Sequence, residues 1–301
     1  MGNSEMKKVG LSTFISQPNV KGMISRTLQN PARERAFATS TIIALGNNPA
    51  LAECTPISLI TCALQGENLH LNPTTQDYYI VPFKDKKKGV VGTFIVGYKG
   101  YVRLALRSGK YRKIIVSEVK DGEFISWDRF TEDFRYNPLP EEDRAFRRTV
   151  GYYAYFQTLD GFTKAMYWTI EQMERHADRY SKAFSLKSYR DLQEGKIPQQ
   201  DMWKYSSFWY KDFDEMAKKT MIRQLLTKWG ELTPELTEAF NSDGAAIEND
   251  NGTLRPTYIE TTAEDVEPTA EPTPEPTQIP TPVPDMPEQT EEPEDIGLDD
   301  L

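Results

Sequence analysis

Basic side chains alternate with aromatic ones in the segment 97–113, whose sequence is GYKGYVRLALRSGKYRK. Cations contact phosphates and aromatic rings stack on nucleobases, so this mixture is typical of surfaces that bind single-stranded nucleic acid. If the segment is helical, Arg103 and Arg107 project together, because residues four apart share a helix face. The alternative is that Tyr98 and Tyr101 are core residues and the cations are merely solvated. The segment alone favours neither interpretation.

Three other segments are rich in cations. The connector 84–89 (KDKKKG) carries four lysines. Such a turn is ordinarily only solvated, but we expect it to lie beside the first segment. A further basic group occupies 175–190. In the predicted helix 212–229, Lys219 and Arg223 are four residues apart, so we expect them to share one exposed face.

Aromatic side chains outside these segments allow two interpretations. Those at 203–210 suit stacking on bases and packing in a core or between subunits equally well. Trp229 continues the apolar stripe of the helix 212–229, and we predict that it lies in the core. His176 is interpreted as a residue of a helix surface or a helix cap.

Residues for catalysis are scarce. The chain has two histidines and two cysteines, and Cys54 and Cys62 occupy buried-type positions of a predicted helix. No GxxxxGK[S/T] or GxGxxG motif is present. We therefore expect no catalytic residue, no metal site and no ATP, and the sequence leaves open whether Mg²⁺ aids binding. A nuclease that holds two metal ions with carboxylates alone stays open, since Asp and Glu are plentiful.

The formal charge of −9 conceals two opposed parts. Residues 242–301 contain 17 acidic residues and one arginine, whereas residues 1–241 have a net charge of +7. Ten of the twenty prolines also lie beyond 241, which predicts a disordered acidic tail over 242–301. No run approaches the roughly 20 apolar residues that span a bilayer, and we expect a cytoplasmic protein with no membrane contact.

The elements that must position the cations are a mixture of helices and strands. Residues 1–30 are polar and weakly patterned, which predicts a flexible arm, and 31–241 is predicted to be a single working domain. Within it the period of the apolar residues changes from helical to alternating and back, which is typical of an α+β fold with a small antiparallel sheet flanked by helices. The predicted helices are near 32–46, 100–108, 171–180 and 212–229, with a further helix that opens at Thr55-Pro56 in a region terminated by His70 and Asn72-Pro73. The predicted strands are 78–82, 92–98, 113–119, 124–127, 150–157 and 163–169.

Several motifs occur in an order that is more specific than composition. The chain resembles the phage RecT family of single-strand annealing proteins over residues 35–240, and the last two motifs are the most specific. In chain order, the full set of motifs is LQGENL at 64–69 with Asn72-Pro73, YIVP at 79–82, GYKG at 97–100 with RSG at 107–109, RYSKAF at 179–184 and DFDEMAKKT at 212–220.

The resemblance implies ATP-independent pairing of complementary DNA strands during phage recombination, by a protein that forms rings or helical filaments on DNA. The expected ligands are single-stranded DNA and the annealed duplex intermediate. From the matched motifs the resemblance implies DNA contacts by Tyr98, Lys99, Arg107, Arg179, Lys182, Lys218 and Lys219. The charge argument alone adds Lys84, Lys86, Lys88, Arg103, Lys110, Arg112 and Arg223.

The resemblance also implies a neighbouring 5′→3′ exonuclease. The acidic terminus 294–301, in which Ile296, Leu298 and Leu301 punctuate the acids, suits docking of that exonuclease or of a host replication-fork protein. A merely solubilising tail is an equal alternative. The rival function is passive binding of single-stranded DNA without annealing, because both activities need the same surface.

Overall fold

The computed structural model describes residues 11–46, 51–205 and 207–257, and within them it has the predicted α+β architecture. Predictions for residues 1–10 and for the acidic segment beyond 257 lie outside the described residues. No helix in these ranges is long and apolar enough to cross a membrane. The helices are α1 Leu11–Ile15, α2 Pro18–Leu28, α3 Pro31–Gly46, α4 Pro56–Asn68, α5 Tyr98–Arg107, α6 Glu141–Arg144, α7 Ile170–Tyr180, α8 Leu186–Gln193, α9 Phe208–Lys211, α10 Phe213–Trp229 and α11 Pro234–Ser242.

The strands form one three-stranded antiparallel sheet and three two-stranded hairpins. The sheet has the order β3-β6-β7, and the hairpins are β1-β2, β4-β5 and β8-β9. Short 3-10 turns occupy Pro73–Thr75 and Gln199–Tyr205. The strands are β1 Tyr78–Asp85, β2 Gly89–Val96, β3 Tyr111–Lys120, β4 Phe124–Asp128, β5 Asp133–Tyr136, β6 Thr149–Thr158, β7 Thr163–Thr169, β8 Ala246–Asp250 and β9 Thr253–Thr257.

The three-stranded sheet is covered on one face by α10. Along β6, alternate side chains are buried, because successive residues of a strand point to opposite faces. Tyr152, Ala154 and Phe156 face the core with α10, whereas Tyr153 and Tyr155 face the other side. On that second face the hairpin β4-β5 packs against the sheet, since the ring of Phe134 stacks 4.5 Å from that of Tyr153.

The predicted flexible arm over 1–30 is wrong for the described residues 11–28, which form α1 and α2. In α2, Val20, Met23, Ile24 and Leu28 are buried in the common core. Their three- and four-residue spacing is that of an amphipathic helix. The polar residues between them hid this stripe in the sequence.

The predicted start of the tail at 242 is also wrong, because β8 and β9 follow it. The turn between them is Asn251-Gly252, both with positive φ (50° and 99°), which is the two-residue hairpin signature. Phe94 of β2 donates its N–H to the carbonyl oxygen of Ala245 at 2.9 Å, which attaches the segment to β2. The strongly acidic composition of the segment as a whole concealed this signal.

A buried carboxylate, that of Asp243, joins the C-terminal segment to the rest of the fold. Its side chain is 4% exposed, and Lys219 Nζ lies 2.7 Å from Oδ1 while Arg223 pairs with Oδ2. The backbone N–H of Val96 donates to Oδ1 at 3.0 Å, and the hydroxyl of Tyr101 donates to Oδ2 at 2.9 Å. The prediction that Lys219 lies on an exposed face of α10 is therefore wrong, because Lys219 is buried. Burial lowers the pKa of Lys219 despite the neighbouring Asp243.

We predict that Asp243→Ala destabilises the protein by about 3–5 kcal/mol, because it leaves the charge of Lys219 buried without its partner. Urea unfolding followed by circular dichroism measures this. The matched control is Asp250→Ala, which removes the exposed partner of Arg255 and should cost less than about 0.5 kcal/mol. Equal stabilities of the two variants would contradict a structural role for Asp243.

Candidate nucleic-acid interface

The GYKG motif places the start of α5 directly against the backbone of Asp77. Gly97 donates its N–H to the carbonyl oxygen of Asp77 at 2.8 Å. A Cβ atom on Gly100 would lie 2.1 Å from the same oxygen, so only glycine fits there. The two residues between the glycines, Tyr98 and Lys99, are partly exposed. The Lys99 ammonium donates to the side chain of Gln76 at 2.7 Å.

Arg103 is held in place by a buried carboxylate. Its Nε lies 2.9 Å from Oδ2 of Asp77, whose side chain is 1% exposed, whereas the side chain of Arg103 is 51% exposed. The N–H of Asn72 also donates to Oδ2, at 3.0 Å. The terminal nitrogens of the Arg103 guanidinium form no hydrogen bond with a described residue. The arrangement fixes one edge of the guanidinium and leaves the other for a phosphate.

Arg107 is exposed, as predicted, but its guanidinium is used inside the fold. It donates to the carbonyl oxygens of Leu69 at 2.6 Å and His70 at 3.1 Å. These carbonyls follow the end of α4, where they lack partners within the helix, so Arg107 acts as a side-chain cap. Of the expected pair of cations on α5, only Arg103, which Asp77 holds by one edge, keeps part of its guanidinium for a ligand.

The cationic surface continues beyond α5 into β3. Lys110 and Arg112 are exposed, and in the described chain no carboxylate lies within 4 Å of either side-chain charge. We call Tyr98, Lys99, Arg103, Lys110 and Arg112 the α5–β3 surface.

Lys218 does not stand on an exposed helix face. Its ammonium lies 4.7 Å from the ring centroid of Tyr98, 2.7 Å from Glu215 and 3.5 Å from Glu118. Burial opposes the charge, but the two carboxylates outweigh it and raise the pKa of Lys218. Lys218 therefore supports the ring of Tyr98 from within and ties α10 to β3.

The lysine-rich hairpin tip is not beside α5, contrary to expectation. Tyr78 pairs with Val96 at the end that leads into α5, and Asp85 pairs with Gly89 at the tip. Seven residues separate the two ends, or about 23 Å at the usual rise of a strand. Lys84 and Lys86 are exposed, and Lys88 pairs with Glu248 of β8.

A ring cluster that the sequence did not predict lies along α7. Trp168, at the end of β7, has its ring centroid 5.1 Å from His176, and His176 lies 4.6 Å from Tyr180. The guanidinium carbon of Arg179 is 5.3 Å from the centroid of Tyr180. Arg179 and Lys182 are both exposed at this end of α7. The four-residue spacing of the two ring residues on α7 was the available signal.

Trp229 is 40% exposed, so its predicted place in the core is wrong. It is the last residue of α10, with Lys164 Nζ of β7 4.7 Å and Lys228 Nζ 5.7 Å from its ring centroid. Burial, and secondarily the charge of Lys228, lowers the pKa of His176 below its ordinary value of 6.5. Lys228 lies beside Trp229, and its charge also acts on His176. We call Trp168, His176, Tyr180 and Trp229 the α7–α10 ring cluster.

The aromatic residues at 203–210 favour packing within the fold. Trp209 is buried, with its ring 5.1 Å from Phe213 and 5.8 Å from Phe184. Phe208 packs 5.3 Å from Tyr79. These contacts decide between the two interpretations for the described rings of this segment.

The two cysteines lie in the core of the fold. Cys54 and Cys62 are buried, as predicted, and burial raises the pKa of Cys62. Over the described ranges, no three His, Cys, Asp or Glu side chains are grouped so that they could hold a metal ion.

Comparisons with known proteins agree on one family. A family model described as the RecT family matches residues 35–257. The chain is similar to the uncharacterized protein YqaK of Bacillus subtilis (strain 168), with 32% identity over 231 residues that cover 75% of this chain and 69% of that protein. It is also similar to Protein RecT of Escherichia coli (strain K12), with 27% identity over 245 residues, 79% of this chain and 81% of that protein. The matched region includes β8 and β9.

We predict that His176 makes the free energy of unfolding decrease as the pH falls. Its pKa is depressed in the folded state, so between that pKa and 6.5 the unfolded chain binds more protons, and stability decreases as the pH falls through this window. Urea unfolding at pH 7.5 and 5.5 should show a smaller loss for His176→Gln than for the wild type. Equal losses would contradict the assignment.

Proposed function

The chain belongs to the RecT family, and on that basis we propose that it binds single-stranded DNA and anneals complementary strands without ATP. The family match over residues 35–257 carries the proposal. The absence of a phosphate-binding GxxxxGK[S/T] motif from the sequence agrees with ATP independence. The active form is a homo-oligomer on DNA, because one protomer of this size can cover only a few nucleotides.

The α5–β3 surface supplies the chemistry that annealing requires. Two DNA strands repel each other through their phosphates, and cations that neutralise one strand lower this repulsion. Arg103, held by Asp77, and the exposed Lys110 and Arg112 are suited to phosphates. Tyr98, supported by Lys218, presents a ring to a base face. Such contacts carry no sequence information, so the specificity comes from base pairing.

The partners proposed for the acidic terminus follow from the sequence. Residues 294–301 combine acids with Ile296, Leu298 and Leu301, which suits a basic pocket on a 5′→3′ exonuclease or a replication-fork protein.

The basic hairpin tip and the exposed Arg179 and Lys182 extend the proposed DNA contacts beyond the α5–β3 surface.

Mixing the protein with fluorescently labelled complementary oligonucleotides, without nucleotide, tests annealing. We expect pairing to be faster than in the protein-free control, and unchanged by ATP. Slower pairing would identify a passive single-strand binder. Shortened products in the presence of Mg²⁺ would identify a nuclease.

We predict that binding to single strands is strongly salt-dependent and tolerant of sequence. The logarithm of the affinity should fall with the logarithm of the salt concentration by about 0.7 for each phosphate neutralised. Titrations of unrelated mixed oligonucleotides at several salt concentrations measure both properties. A flat salt dependence, or a large preference between sequences, would argue against phosphate and base-face contacts.

We predict that the double variant Lys110→Ala, Arg112→Ala makes this salt slope shallower by about 1.4 and slows annealing, because two phosphate contacts are lost. The charge-matched control Lys21→Ala, Arg35→Ala removes two exposed cations from α2 and α3 and should keep the wild-type slope. The same slope for both double variants would exclude the α5–β3 surface as a principal contact.

A further inference from the structure

The Trp229 end of the α7–α10 ring cluster is separated from Tyr98 along α10. Lys218, which supports Tyr98, and Trp229 are eleven residues apart on this helix, or about 16 Å at 1.5 Å per residue. A ligand that covers both Tyr98 and Trp229 must therefore be extended. The β3 end of the α5–β3 surface is nearer to the cluster, because the hydroxyl of Tyr111, which lies between Lys110 and Arg112, donates to the carbonyl oxygen of Glu231 at 3.2 Å.

The outer rings of the cluster are accessible. Tyr180 is 66% exposed, and Trp229 is 40% exposed. His176 and Trp168 are partly buried. The ring centroid of His176 lies 4.6 Å from that of Tyr180, and the ring centroid of Trp168 lies 5.1 Å from that of His176. Since the pKa of His176 is lowered, its ring is neutral at pH 7. The series thus offers supported, uncharged rings at its exposed end, which is what stacking on a base requires.

The charge around these rings is complementary to a phosphate chain. Arg179, Lys182 and Lys228 are exposed and lie within no ion pair among the described residues. The nearby acids are engaged elsewhere. Glu174 pairs with Arg190, Asp178 accepts the N–H of Leu186, Glu132 pairs with Lys164, and Glu171 lies in the first turn of α7 beside Thr169.

We propose that the α7–α10 ring cluster is a base-stacking site for single-stranded DNA, next to the Lys110–Arg112 end of the α5–β3 surface. Tyr180 and Trp229 contact base faces, and Arg179 and Lys228 contact the flanking phosphates. The proposal rests on the DNA binding proposed above. It names a second contact region for the same strand.

Oligonucleotides with and without bases test the stacking role. The affinities of Tyr180→Leu, Tyr180→Phe and the wild type are measured for oligo-dT and for an abasic strand of equal length. Tyr180→Leu should bind oligo-dT at least about fivefold more weakly, the loss typical of one stacked base, and the abasic strand as the wild type does. Tyr180→Phe, which keeps the ring, should bind both strands normally.

Tyr136→Leu is the matched control, because Tyr136 is an equally exposed tyrosine on β5. It should bind both strands as the wild type does. Trp229→Leu repeats the test at a second ring. If circular dichroism shows that Tyr180→Leu is unfolded, Trp229→Leu decides the outcome.

The outcomes separate this inference from the proposed function. Equal weakening on both strands, or an affinity of Tyr180→Leu and Trp229→Leu for oligo-dT equal to that of Tyr136→Leu, overturns the stacking site while the wild type still binds DNA. A wild type that binds neither strand overturns the proposed function as well.

Discussion

The carboxylate of Asp243 is the interaction on which the described fold depends most. It is buried, it forms ion pairs with two cations of α10, and it accepts hydrogen bonds from α5 and β2. A buried charge is costly unless it is paired and hydrogen-bonded, so these elements must meet at one point for the core to form. The position of α5, and with it the α5–β3 surface, follows from this requirement.

The same constraint separates the cations of the chain into two kinds. Lys218, Lys219, Arg107 and Arg223 use their charges inside the fold, on carboxylates or on backbone carbonyls. Arg103 is intermediate, because Asp77 holds one edge of its guanidinium and solvent reaches the rest. A guanidinium fixed in this way loses less conformational freedom when it binds a phosphate than a free lysine does. Basic residues in a family motif therefore need not contact the ligand.

The sequence predicted the elements well and their exposure less well. Thr55 with Pro56 marks the start of α4, and Gly109 with its positive φ follows the end of α5, which is within one residue of the predicted position. The burial of Lys219 on α10 could not be predicted from this helix alone, because its partner Asp243 lies on the C-terminal segment. Lys219 lies in the motif 212–220 and Asp243 lies outside all of the motifs, so no motif reveals that the two residues pair. The ring cluster likewise depends on contacts among β7, α7 and α10, which no single segment reveals.

The attachment of the C-terminal hairpin to β2 has a consequence for biosynthesis. Val96 and its partner Asp243 are 147 residues apart, so β2 lacks this neighbour until almost all of the described chain has left the ribosome. At about 5–20 residues per second the wait is about 7–30 s. During that time one edge of the first hairpin is open to pairing with other nascent chains, a known route to aggregation. Residues 243–245 close it, and they are translated near the end of the described chain.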